Sequence, residues 1–172
     1  MTTQLTIKDY LEITDLKARY FQYVDSKDWK LLPELFTLDA RFSGYAFDAA
    51  GTTNDFVDAL SEFLDDTKSQ HRGSMPRFRS LDSNRVRGIW SMNDYVTWEI
   101  DSRVYKSVPI SGMYGINGYG FYEDEYLRTS GGWRISFSRL VRTRIDPLVG
   151  NPSTDPGYEF SAPDATWLDA DV

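Results

Sequence analysis

The 172-residue chain holds a single histidine, His71, in the mixed-polarity stretch Ser69-Gln70-His71-Arg72-Gly73. Imidazole is the one side chain whose ordinary pKa lies near neutrality, so His71 can take up and return a proton at working pH. Alone, a histidine is weak evidence for chemistry. Three companions raise its value: Tyr20 and Asp25, which close a helical segment, and Asp94, which interrupts the apolar face of a strand.

Asp94 is the most informative carboxylate. It occupies a core-facing position in the alternating run Val86, Gly88, Trp90, Met92, Asp94, Val96, Trp98, Ile100. A buried carboxylate is costly unless it is paired, so an arginine is expected beside it. A structural ion pair and a functional acid fit that strand equally well. Asp25, followed by Ser26-Lys27-Asp28-Trp29, reads most simply as the cap of the next helix. Tyr20 reads as core with its hydroxyl tied to a backbone carbonyl. Five residues apart on a regular helix, these two do not share a face, and they line one pocket only if the helix ends near Asp25 and that residue turns inward. The arginine is ambiguous as well. Alternation from Trp133, Ile135 and Phe137 puts Arg139 inside and Arg142 outside, whereas a bulge near Ser138 exchanges them.

The composition removes other chemistries. There is no cysteine, hence no disulfide, thiolate zinc site or cysteine nucleophile. One histidine cannot build a multi-histidine metal centre on one chain, and an all-carboxylate site would suit only hard ions. No phosphate-binding glycine loop, nucleophile elbow or zinc spacing is present, and Gly115-Ile116-Asn117-Gly118 reads as backbone geometry or a pocket wall. Neither a metal nor an organic cofactor is expected. The 19 Lys and Arg against 26 Asp and Glu give a net charge of -7, which repels nucleic-acid phosphates and anionic lipid. The start of the chain does not resemble a signal peptide, and no apolar run approaches the ~20 residues that cross a bilayer. A soluble, cytoplasmic protein is the simplest expectation.

The elements that must position these residues follow from periodicity. Tyr10, Ile13, Leu16, Tyr20 and Val24 repeat at three and four, predicting an amphipathic helix over residues 6–25. A short second helix is expected over 28–36 with Pro33 near its first turn, a strand over 40–45, and a helix over 53–67 with Phe56, Val57, Leu60, Phe63 and Leu64 on one side. Strands follow over 85–100, 119–128 and 133–145, the last two joined by Ser130-Gly131-Gly132. Helices first and strands afterwards mean an α+β domain whose antiparallel sheet packs on the helices. The chain thus divides into a domain over residues 1–145 and an acidic tail over 146–172. The tail carries six acids, no Lys or Arg, and Pro147, Pro152, Pro156 and Pro163 to break regular structure. Tyr158, Phe160 and Trp167 suggest that it packs on the domain or on a neighbouring subunit. Aromatics reach 15%, which suits a ring-lined cavity.

The segment Asp15-Leu16-Lys17-Ala18-Arg19-Tyr20-Phe21-Gln22-Tyr23-Val24-Asp25-Ser26-Lys27-Asp28-Trp29, with Leu35-Phe36-Thr37-Leu38-Asp39-Ala40, resembles the SnoaL-like family of the nuclear-transport-factor-2-like fold. Gly115-Ile116-Asn117-Gly118, Phe121-Tyr122 and Gly132-Trp133-Arg134-Ile135 resemble the bile acid 7α-dehydratases of that group, and Asp25-Ser26-Lys27-Asp28-Trp29 is also similar to the scytalone dehydratases. The resemblance covers roughly residues 6–146. It implies a cone-shaped α+β domain in which helices and a curved sheet enclose a pocket. It also implies a site made of Tyr20, Asp25, His71, Asp94 and Arg142, and thereby favours the bulge that turns Arg142 inward. One histidine stands here where scytalone dehydratases use two, and Ser74 occupies the place of a second histidine in the bile acid enzymes. The activity implied is a cofactor-independent elimination from a cyclic or polycyclic hydroxy-carbonyl compound, with His71 as base and Asp25 behind it. An isomerase or cyclase on the same scaffold, or a non-catalytic ligand-binding domain, is the alternative. A homodimer or homotrimer is expected from the same resemblance.

Overall fold

The structure, a computed structural model, describes residues 5–47, 50–151 and 167–169. Helix α1 spans Ile7–Ser26 and opens on a capping box in which Thr6 and Asp9 satisfy each other's backbone amides. It ends where Lys27 takes a left-handed conformation, φ 62°, and donates its backbone N–H to the last carbonyls. That cap breaks the helix one residue after Asp25. The expected second helix shrinks to a 3-10 turn at Leu32–Leu35 with Pro33 in its first positions, because Pro33 has no N–H to continue a longer ladder. Strand β1 starts earlier than expected, at Phe36–Ser43, and helix α2 covers Thr53–Leu64.

Four further strands complete the sheet: β2 (Lys68–Ser80), β3 (Arg85–Thr97), β4 (Met113–Thr129) and β5 (Gly132–Val149). The order across the sheet is β1-β5-β4-β3-β2. The expected antiparallel arrangement holds for β2 to β5, but edge strand β1 runs parallel to β5, so the sheet is mixed. Strand β3 stops at Thr97 rather than at 100, and Ile100 is exposed. Residues 98–112 form a loop instead. Strand β5 runs on through Asp146 and Pro147 to Val149, beyond the domain boundary expected at 145. A proline is tolerated there because β1 accompanies β5 only from Ile135 to Arg139, leaving one side of the later residues unpaired. Of the expected tail contacts, Tyr158 and Phe160 lie outside the described residues, and Trp167, in a 3-10 turn, is exposed.

The core sits between the helices and the concave side of the sheet. Ile13, Leu16, Tyr20 and Val24 of α1 and Phe56, Val57, Leu60 and Leu64 of α2 meet Trp90, Met92, Tyr122, Tyr126, Ile135 and Leu140 of the sheet. Two extra residues bend β5. Tyr126 pairs with Ile135 and Glu125 with Phe137, leaving Ser136 over; Gly120 pairs with Arg142 and Tyr119 with Arg144, leaving Thr143 over. Each bulge reverses which parity faces inward. No helix among the described residues is long and apolar enough to cross a membrane.

Candidate active site

Between the two helices, the β3–β4 loop and the concave sheet face lies a cavity of about 690 Å³, within the range of small-molecule sites. Its walls are mainly apolar and aromatic, with Tyr45, Phe47, Phe63, Trp98, Tyr122 and Ile145 among them. Tyr20, His71, Asp94 and Arg142 all line it. Asp25 does not. It stands behind His71, away from the cavity.

His71 lies on β2, a strand that periodicity did not reveal. Asp25 at the end of α1 grips it twice. Its Oδ1 is 2.7 Å from His71 Nδ1, and its Oδ2 accepts the His71 backbone N–H at 2.8 Å. Ser69 Oγ donates a third bond to Oδ1 at 2.9 Å. A carboxylate only accepts, so Nδ1 carries a proton, and in the neutral ring it is Nε2 that presents the lone pair. The capping role that is the simplest reading of Asp25 is therefore not what its side chain does. The geometric condition for sharing a site with Tyr20 is met differently from expectation: the helix ends near Asp25, which turns toward β2, while Tyr20 faces the cavity one and a half turns earlier.

On the neighbouring strand, Asp94 is directly opposite His71 in register, and its Oδ2 is 4.0 Å from His71 Nε2. The arginine expected beside it is Arg142. Nη1 and Nη2 donate to Asp94 Oδ1 and Oδ2 at 2.7 and 2.5 Å. The bulge that turns Arg142 inward lies at Ser136, two residues before the expected place. Arg139 is outside and pairs with Glu123. Burial opposes the Arg142 charge, but the bidentate bond to Asp94 prevails and raises its pKa. Gly118, opposite Asp94 on β4, leaves the space in which this pair meets. A Cβ there would fall 2.1 Å from both Arg142 Nη1 and Asp94 Oδ1.

The tyrosines are held neutral. Burial is the leading cause that raises Tyr20 and Tyr122 well above the usual phenol value, and it lifts Tyr45 to about 12. At neutral pH all three keep their protons and can donate. Tyr45 and Tyr122 escaped the sequence reading, as did two buried charges, Lys17 and Asp124, whose Nζ and Oδ2 are 2.8 Å apart. Signals for both charges exist. Lys17 lies one turn from Ile13 on the buried stripe of α1, and Asp124 interrupts Gly120, Tyr122 and Tyr126 as Asp94 interrupts its own strand. Ser74, the position of the absent second histidine, is exposed.

A second depression, of about 700 Å³, lies on the other side of the sheet. Its lining includes Arg41, Arg79, Arg87 and Arg139 with Glu123 and Glu125, and it includes none of Tyr20, Asp25, His71, Asp94 and Arg142. The candidate acid–base residues Tyr20, His71, Asp94 and Arg142 line the cavity on the concave face.

Among solved structures, a hexachlorocyclohexane dehydrochlorinase (LinA, type 2) is 20% identical with a TM-score of 0.71, over 89% of this chain and 100% of that one. A putative scytalone dehydratase from Novosphingobium aromaticivorans is 13% identical with a TM-score of 0.67, over 90% and 97%. The Kfla4162 protein of Kribbella flavida is 22% identical with a TM-score of 0.67, over 81% and 93%. These likenesses are likenesses of fold. The SnoaL-like domain, in turn, matches residues 5–139, from the start of α1 to the middle of β5. With its helices laid on a curved five-stranded sheet around a pocket, the chain belongs to the SnoaL-like family of the nuclear-transport-factor-2-like fold.

Proposed function

We propose that this chain is a cofactor-independent lyase that removes water from a ring-bearing hydroxy-carbonyl compound, with His71 as general base. One observation carries the reading: a histidine whose Nδ1 is bound to a carboxylate at 2.7 Å borders an apolar cavity. Asp25 fixes the tautomer, so Nε2 can accept a proton from a carbon next to a carbonyl. The imidazolium that results is stabilised by Asp25 and by Asp94 at 4.0 Å. Arg142 gives two of its N–H groups to Asp94 and keeps others for the substrate carbonyl, whose oxygen becomes negative as the proton leaves. The electron pair of the broken C–H bond forms the new double bond, the C–O bond breaks, and the departing hydroxide, hydrogen-bonded by Tyr20, takes the proton held on His71 and leaves as water.

Two of the structural neighbours are named for eliminations, of hydrogen chloride and of water, which suits the same division of labour. A non-catalytic binding domain would keep its polar groups internally satisfied with no cavity joining His71 to Tyr20, whereas both line one cavity here.

Incubation with a panel of fused-ring β-hydroxy ketones, followed by mass spectrometry, tests the proposal. A product lighter by one water is expected. A product of unchanged mass would indicate an isomerase instead. His71→Ala and Asp25→Asn should each lower turnover on the order of 10²–10⁴-fold with an unchanged circular dichroism spectrum. Near-normal turnover by His71→Ala would rule out the assignment.

A further inference from the structure

Behind the tyrosines lies a buried polar chain that the proton transfer does not use. Lys17 Nζ sits 2.8 Å from Asp124 Oδ2, and both side chains are sealed from solvent. The ammonium also lies 3.9, 4.6 and 5.2 Å from the ring centroids of Tyr122, Tyr20 and Phe21, a cation surrounded by aromatic rings. Asp124 takes two more donors: Ser138 Oγ on Oδ1 at 2.8 Å, and the Tyr126 hydroxyl on Oδ2 at 2.8 Å. Beside the Lys17 ammonium and with two hydroxyls placed to donate to it, the Asp124 carboxylate takes the accepting role in each of these bonds.

This fixes the direction of everything attached to it. A serine hydroxyl has one proton, and Ser138 gives it to Asp124. The 3.2 Å bond between Ser138 Oγ and Tyr45 Oη must then be donated by Tyr45. Tyr45 has no proton left, so toward the cavity it offers only a lone pair. The neighbouring hydroxyl is that of Tyr20, and because Tyr45 has no proton to give, Tyr20 is the donor of that pair. Both tyrosines line the cavity.

We propose that the Lys17–Asp124 pair, acting through Ser138, makes Tyr45 an obligate acceptor beside the donor Tyr20, so that the site selects a substrate hydroxyl that inserts between them. An alcohol accepts from Tyr20 and donates to Tyr45. A ketone or ether can only accept, and leaves Tyr45 unpaired. The inference rests on the lyase reading above and sharpens it: the leaving hydroxyl sits at the tyrosines, and the carbonyl sits at Arg142. Lys17, Asp124 and Ser138 are positioning residues, which act on the substrate through Tyr45.

The test reads binding, not turnover, and uses 1-tetralol and 1-tetralone, probes of nearly equal shape that lack the β-hydroxy ketone needed for elimination. Quenching of tryptophan fluorescence gives both dissociation constants, since Trp98 lines the cavity. The unaltered protein should bind the alcohol about tenfold more tightly. Ser138→Ala frees the Tyr45 proton, so the ratio should fall to unity or invert in favour of the ketone. A purely structural serine would weaken both probes alike and leave the ratio intact. Tyr45→Phe, a change at the cavity wall, should also abolish the preference, and it keeps the test open if Ser138→Ala fails to fold. Equal affinities in the unaltered protein, or a ratio that survives either substitution in a folded protein, overturns the proposal. Absence of turnover with the preference intact would refute the lyase reading alone.

Discussion

At the scale of single residues, the site depends on what is missing at 118 as much as on what is present at 71. The Asp94–Arg142 bridge occupies the volume that a side chain at Gly118 would take. Gly118→Ala should therefore separate the pair, lower turnover at least about tenfold, and cost about 1–3 kcal/mol of stability from a buried charge losing its partner. Urea denaturation alongside the elimination assay checks both, and turnover at the normal level would show that the bridge shifts without consequence. Asp94 was legible because an acid in an apolar alternation has to be explained. Its partner was not, since the choice between Arg139 and Arg142 depends on where one extra residue is placed in β5, and side-chain types do not record that. Gly118 was visible as part of a glycine-bearing segment, but the space it leaves for the Asp94–Arg142 pair was not.

At the scale of elements, helices α1 and α2 were readable because their apolar stripes repeat at helical spacing. Strand β2 was not, although it carries the base. Its half-buried set includes Ser69, His71 and Gly73, and its solvent set includes Gln70 and Arg72, so the alternation is between polar residues and carries no hydrophobic signal. At Ser69 and His71 its inward face meets the carboxylate of Asp25 on α1 rather than apolar core. Helix α1 is in turn secured at its other end. Asp9 accepts from Thr6, from Arg128 and from Trp133 Nε1. Burial works to raise the Asp9 carboxyl, but those hydrogen bonds outweigh it and bring it from 3.8 to about 2. A depressed acid contributes stability above its unfolded pKa and loses it as pH falls through the folded one. Urea midpoints should thus drop between about pH 4 and 2 more steeply for the unaltered chain than for Asp9→Asn, which should already be weaker at neutral pH by about 1–2 kcal/mol. Parallel curves for the two proteins would remove Asp9 as the anchor.

At the scale of the whole molecule, one face of the sheet lines the cavity and the other is open to solvent. Its outer side presents Ile89, Tyr119 and Phe121 partly exposed, near a band of arginines that includes Arg41, Arg77, Arg79, Arg87 and Arg139, on a chain whose net charge is -7. A homodimer or homotrimer is expected, and light scattering should report it, with Phe121→Asp shifting the mass toward one chain if this face is shared. A single chain at all concentrations would contradict that expectation. The layer order and the helix-first, strand-later plan were legible from the sequence, while the parallel edge strand was not, because nothing in the residues of β1 states which way it runs beside β5. One feature of β5 reaches past this molecule. With Ser136 and Thr143 standing outside the ladder, facing is counted from the bulges and not from the start of the strand. An alignment of this strand to one without the bulges must therefore place its gaps at those two positions. A gap displaced by one residue puts Val141 or Thr143 where Arg142 belongs, and a guanidinium at that place in a relative would go uncounted.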